Sequence, residues 1–197
     1  MKKLILISLI FLIIIFSACV QDPYKRDFAG VTLRFRANLN EADKVPVYPN
    51  ETALGRLLMN SEIKRIVISY IPNDSENPYY LAASYEIAYK LTIIYKYYYG
   101  DTRVIDTGNE NETCLLFIET NRTMCIQPLA IDSKDELITT DVQPAFLLLG
   151  PSQTNETSVR VEENLIIASG KNFEEEDRTY TDLDLAVDKI LLILMGE

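Results

Sequence analysis

The stretch from Asn77 to Gly100 sets the first limit on what this chain can become. Asn77-Pro78 is a helix start, with Asn as the N-cap and Pro in the first turn, and Gly100 is a fitting C-terminal stop. Between them, Leu81, Tyr85, Ala88, Leu91 or Thr92, and Tyr95 recur at three and four residues. That spacing predicts a buried stripe about six turns long, which needs a sheet to pack against. Nine of the twelve tyrosines lie between Tyr70 and Tyr99. A flat apolar ring with a polar tip suits a sugar-stacking surface or an interfacial belt, but packing of the helix on a sheet is the plainer expectation. Tyr97, Tyr98 and Tyr99 are consecutive and face different directions, so they are harder to bury together.

The rest of the pattern supplies that sheet. Val31 to Arg36 alternates, with Val31, Leu33 and Phe35 on one face of a half-buried strand. Asn50 caps a short helix to about Asn60, and Ile63 to Ile71 reads as a strand. Short strands follow at Thr102 to Asp106, Thr113 to Glu119 and Met124 to Ala130, with a turn at Asn109-Glu110-Asn111. Ala145 to Leu149 is apolar throughout, as a strand buried on both faces is. Ser158 to Val161 and Leu165 to Ala168 form a hairpin, and Thr181 with Asp184 makes a capping box for an amphipathic helix to Met195. The expected fold is one α/β domain. A mixed β-sheet is packed by helices, with the long Tyr-rich helix and the C-terminal helix prominent among them.

Composition narrows the function. The chain has 197 residues and a formal charge of -10, which becomes -12 once Lys2 and Lys3 are set aside. No basic stripe for nucleic acid is present. There is no His and no Trp. His-assisted nucleophiles and His-ligated metal sites are therefore excluded within this chain, and the residues require no cofactor.

Met1-Lys2-Lys3 precedes an apolar run from Leu4 to Phe16, and Ser17-Ala18-Cys19 follows at once. The run is short for a membrane-spanning helix and fits the core of a signal peptide. Phe16-Ser17-Ala18-Cys19 resembles the lipobox of prokaryotic lipoproteins, in which the Cys is lipidated and becomes the new N-terminus. The resemblance implies a signal peptide over 1–18, a lipid-anchor Cys19 with a tether to residue 30, and an extracytoplasmic domain over 31–197. The family pattern prefers Leu where Phe16 stands. Asn-x-Ser/Thr sequons occur at Asn50, Asn73, Asn111, Asn121 and Asn155. Sequons and lipobox in one chain resemble an archaeal surface lipoprotein. Cys114 and Cys125 remain as an even pair on two apolar runs, which a hairpin would bring face to face as a disulfide; two buried free thiols are the alternative.

Two further constellations are weaker. Gly150-Pro151-Ser152 follows a buried strand, where α/β proteins place ligands, but it lacks the spacing of a nucleophile elbow or a phosphate loop. Glu174 to Asp177, with Asp182, Asp184 and Asp188, offer carboxylates for calcium without the spacing of an EF-hand. A solvated acidic loop leading into a helix N-terminus accounts for them better. The sequence is thus read as a membrane-anchored, extracytoplasmic, non-catalytic protein for binding, adhesion or envelope assembly, its partner an envelope protein or a glycan. A carboxylate-dependent surface hydrolase and a small-ligand receptor for a transporter are the alternatives. The Cys19→Ser substitution is expected to release the protein from membranes or to block its maturation. Unchanged membrane partition with no lipid on mass spectrometry would contradict the anchor.

Overall fold

The computed structural model describes residues 22–108, 112–173 and 178–196. The leader, Cys19, Asn111 and the run Glu174 to Asp177 lie outside these residues. Ten strands and four α-helices are present among them: β1 (Lys25–Phe28), β2 (Val31–Arg34), α1 (Leu39–Ala42), β3 (Val47–Tyr48), α2 (Glu51–Leu58), β4 (Arg65–Tyr70), α3 (Asn77–Tyr99), β5 (Thr102–Ile105), β6 (Thr113–Phe117), β7 (Arg122–Ala130), β8 (Ala145–Leu149), β9 (Ser158–Glu162), β10 (Leu165–Ser169) and α4 (Asp182–Met195). Eight strands form one mixed sheet in the order β3-β9-β10-β8-β4-β7-β6-β5. Its centre, from β10 through β8 and β4 to β7, is parallel, and β8 is buried along most of its length as its unbroken apolar run requires.

The fold is therefore the α/β single domain that the sequence predicts, with helices gathered on one face. On that face α3 packs over β4 and β6, and α4 over β9 and β10. The opposite face carries a smaller cluster of Ile131, Leu147 and Ile167, with Leu137 beside it from the loop after β7. β1 and β2 form a separate hairpin, closed by Ala29 and Gly30 at positive φ. Two expectations change here. The strand from Val31 pairs with β1 and not with the main sheet, and Lys25–Phe28, expected as tether, is a strand. Phe28 reaches Tyr97 and Tyr98 near the end of α3, with ring centroids 4.9 and 6.2 Å away, so the hairpin rests on the helix layer.

Caps hold the helices where the sequence places them. Asn50 Oδ1 accepts from the Ala53 N–H at 2.9 Å, and Thr181 and Asp184 exchange the reciprocal bonds of a capping box. The last carbonyls of α2, which have no partner within their own helix, accept the Tyr95 hydroxyl at Leu58 (2.7 Å) and the Tyr99 hydroxyl at Met59 (2.6 Å). Burial pushes both phenols up from their ordinary pKa. The helix start on α3 differs by one residue: Glu76 is its N-cap, and Asn77 instead accepts from the Asn73 N–H.

The larger correction concerns the face of α3. Its buried residues are Tyr80, Ala83, Ser84, Ile87, Lys90, Leu91, Ile94 and Tyr95, whereas Leu81 and Tyr85 are exposed. The buried stripe is rotated by about one residue, roughly 100° at 3.6 residues per turn. Lys90 explains the choice. It is 1% exposed, forms an ion pair with Glu86 one turn earlier, and lies 3.6 Å over the Phe35 ring. The fully buried Asp188 of α4 lies 3.9 Å from its Nζ. Asp188 Oδ2 accepts the Ala37 N–H at 2.8 Å, while Oδ1 has no hydrogen-bond partner among the described residues. Nearby, Arg36 Nε donates to Asp184 Oδ1 at 2.7 Å, so the chain after the hairpin, α3 and α4 meet at one set of charges.

Burial raises Asp188 to about 8, against the opposing pull of Lys90 and the Ala37 N–H. The folded state therefore holds a proton, between about pH 4 and pH 8, that the unfolded chain releases. This group's contribution to stability falls as pH rises through that window. Asp188→Asn keeps an acceptor for Ala37 and removes the titration. Denaturant melts of the two proteins from pH 5 to 8 are expected to diverge, the unsubstituted protein losing up to about 1.4 kcal/mol per pH unit relative to the variant. Parallel pH profiles would contradict the assignment.

Candidate functional site

Two long helices do not cover the front of eight strands. Among the described residues no further helix lies over β6 and β7 beyond α3, and a groove of about 600 Å³ remains there. Leu81, Tyr85, Ala88 and Tyr89 of α3 form one wall, and Thr113 of β6 with Ile126 and Pro128 of β7 form the other. Ser84 and Thr92 complete it, so among the described residues no charged side chain lines the groove. On α3 the lining includes Leu81, Tyr85 and Ala88, which the sequence predicts as core, whereas Leu91 and Tyr95 of the same predicted stripe are buried. The periodicity was right, and its N-terminal half was assigned to the wrong side of the helix.

The groove carries a platform. Tyr85 and Tyr89, one turn apart, are 73% and 52% exposed, and their rings lie parallel within 1° at a centroid distance of 6.4 Å. Polar groups are few and neutral. The Thr92 hydroxyl is bonded to the Ala88 carbonyl at 2.9 Å, as a threonine inside a helix often is. Ser84 is 2% exposed, and its hydroxyl has no partner among the described residues. Pro128 fits an interior strand because Cys125 and Ile131 direct their N–H groups to β4, which leaves position 128 facing away from it.

Gly150-Pro151-Ser152 does stand at the C-terminal end of the parallel strands, but the space for a ligand is filled by the protein's own side chains. Glu76 accepts from the Ser152 N–H (3.0 Å), the Ser152 hydroxyl (2.8 Å) and the Tyr80 hydroxyl (2.6 Å), and Tyr80 accepts in turn from the Gly150 N–H (2.9 Å). Burial, aided by Glu76, pushes the Tyr80 phenol up. A Cβ at position 150 would lie 2.6 Å from both Phe173 and the Tyr80 oxygen, so the loop closes only because the residue is glycine.

The calcium reading loses its downstream ligands for a similar reason. Asp182, Asp184 and Asp188 are buried, and each is engaged: Asp182 by Arg178 and Thr157, Asp184 by Arg36 and Thr181, Asp188 by Ala37 and Lys90. Asp182 and Asp184 also occupy the first turn of α4, where the helix dipole favours negative charge. Asp141 and Glu163 border a shallower depression beside α2, and both are exposed. A hydrolytic pair needs one carboxyl buried beside apolar groups, and both of these stand in solvent.

Cys114 and Cys125 are opposite each other on β6 and β7 and form a disulfide. The hairpin expected between the two apolar runs is thus what joins them, and closing so short a loop contributes about 3 kcal/mol. Glu112 comes near the two sulfurs, but they are bonded to each other and Glu112 pairs with Arg65, so the trio offers no metal site. The sequons at Asn50, Asn121 and Asn155 are exposed and Asn73 is half-buried, all at helix starts, turns or loops. Among the described residues no helix is long and apolar enough to cross a membrane. Comparison of the chain with protein-family models, with curated proteins and with solved structures gave no match.

Proposed function

We propose that this chain is a lipid-anchored extracytoplasmic binding protein, without catalytic activity, whose groove beside α3 takes a neutral saccharide unit of an envelope glycan. Cys19 supplies the anchor and residues beyond it face outside the cytoplasm. The reading rests on one observation: two parallel, exposed tyrosine rings over an uncharged groove, 6.4 Å between centroids. A pyranose ring presents flat C–H faces and a rim of hydroxyls. The faces stack on Tyr85 and Tyr89, and the rim meets the phenolic tips.

Charge supports the same class of ligand. The body past Cys19 carries -12, so an anionic ligand is repelled at long range, whereas a neutral one is indifferent to that field. The disulfide agrees with an oxidising compartment, and sequons on exposed loops agree with a surface exposed to glycosylation. Because both rings already stand in the open and close to parallel, ligand binding costs little side-chain ordering.

Calorimetric titration of the detergent-extracted native protein with a panel of neutral oligosaccharides tests this. At least one is expected to bind saturably, and Tyr85→Ala and Tyr89→Ala are each expected to weaken it about tenfold, a loss of about 1.4 kcal/mol, with melting temperature unchanged. Binding that is indifferent to both substitutions, or no binding across the panel, would contradict the proposal.

A further inference from the structure

The groove beside α3 is too open to enclose a single sugar. Pockets that hold one small molecule bury most of its surface, but here every turn of the α3 wall faces solvent: Leu81 is 54% exposed, Tyr85 73% and Tyr89 52%. A ligand gains contact in such a groove by its length. From Leu81 to Thr92 the lining follows α3 for about three turns, roughly 16 Å at 1.5 Å per residue. A pyranose unit advances an extended glycan by about 5 Å, the length of three to four single bonds. The groove therefore has room for three units in a row.

The side chains divide it in the same way. Leu81, Tyr85 and Tyr89 recur every four residues, so they stand on one side of α3 about 6 Å apart along its axis. Each offers an apolar surface to one sugar. The Tyr85 and Tyr89 rings are parallel within 1°, so two sugars stacked on them have parallel mean planes as well. Successive rings keep parallel planes in a flat ribbon, such as a β-1,4-linked chain with equatorial linkages, and lose them in a helical chain such as an α-1,4-linked one. The sheet adds a polar contact. Thr113, opposite Ile126 in the β6–β7 register, is exposed, and its hydroxyl has no hydrogen-bond partner among the described residues. Among those residues it is the one hydroxyl that the sheet side presents to the groove.

We infer that the groove binds a stretch of three units of a linear, neutral, ribbon-like glycan lying parallel to α3, one unit each on Leu81, Tyr85 and Tyr89, with the Thr113 hydroxyl bonded to the hydroxyl edge of the ribbon. The inference rests on the saccharide reading proposed above. It adds the length of the ligand, the geometry of its linkage, and the two residues, Leu81 and Thr113, that complete the contact.

Calorimetric titration of the detergent-extracted native protein with oligomers of one to six units tests it. The probes are three ribbon-forming series, β-1,4-linked glucose, mannose and N-acetylglucosamine, with α-1,4-linked glucose as the helical comparison. In at least one ribbon series each added unit is expected to tighten binding about fivefold up to the third and by no more than about twofold beyond it, and the helical series is expected to bind about tenfold more weakly. Leu81→Ala is expected to erase the gain from the third unit and leave the two-unit affinity unchanged. Thr113→Val is expected to weaken the three-unit ligand about fivefold, with the melting temperature of both variants unchanged. Affinity that does not rise with length, that keeps rising past the third unit, or that is equal for the helical chain overturns this inference and leaves the saccharide reading in place. So does binding confined to sugars outside the ribbon series, or indifference to either substitution. Absence of binding by every neutral oligosaccharide overturns both.

Discussion

A lysine at full burial is the constraint around which the helix layer is arranged. Lys90 can be removed from water only where opposite charge and polarizable surface wait for it: the Glu86 carboxylate on its own helix and the face of Phe35, with the Asp188 carboxyl of α4, protonated below about pH 8, as a polar neighbour 3.9 Å away. Apolar residues alone do not decide how α3 turns, because they occur on nearly every side of it. The charges do. With Lys90 directed toward α4, Tyr80, Ile87, Leu91 and Ile94 meet the sheet, and Leu81, Tyr85 and Tyr89 are left on the far side. The same cluster draws in the segment after the hairpin through Arg36 and Ala37. One buried cation thus seats three parts of the chain.

From that arrangement the exposed surfaces follow. A sheet of eight strands with two long helices on one face leaves part of the face open, and the opening lies next to the exposed side of α3. The other place where a fold of this class takes a ligand, the loops after its parallel strands, is occupied by Glu76, Tyr80 and Phe173. The hairpin rests through Phe28 on Tyr97 and Tyr98 near the end of α3. Groove and hairpin are therefore separate places on the molecule: the groove lies beside Tyr85 and Tyr89, and the hairpin packs on Tyr97 and Tyr98.

Much of this was legible in the residues. The capping box at Thr181, the cap at Asn50, the stop at Gly100 and the apolar run at Ala145–Leu149 each have a local cause and stand where that cause puts them. The pairing of Cys114 with Cys125 followed from two short apolar runs about one turn. What failed had non-local causes. Nothing local to Glu86 and Lys90, an i, i+4 pair, marks Lys90 as buried, because Phe35 and Asp188, which complete its surroundings, are distant in the sequence. Asp182 and Asp184 stand in the first turn of α4, as the sequence expects, but their burial does not show in it because Arg178 and Arg36 come from outside the helix. Lys25–Phe28 read as tether because a strand with three charged residues in four has no apolar alternation to mark it.

The orientation of α3 carries both the groove and the packing of the hairpin, so the tyrosines along it report on the whole account. Brief nitration of the native protein, followed by peptide mass spectrometry, measures which rings meet solvent. Tyr85, Tyr89, Tyr97 and Tyr98 are expected to react quickly, and Tyr80 and Tyr95, both fully buried, to stay unmodified until the protein unfolds. Rapid nitration of Tyr80 together with protection of Tyr85 would mean that the helix is turned the other way, and the groove would not exist.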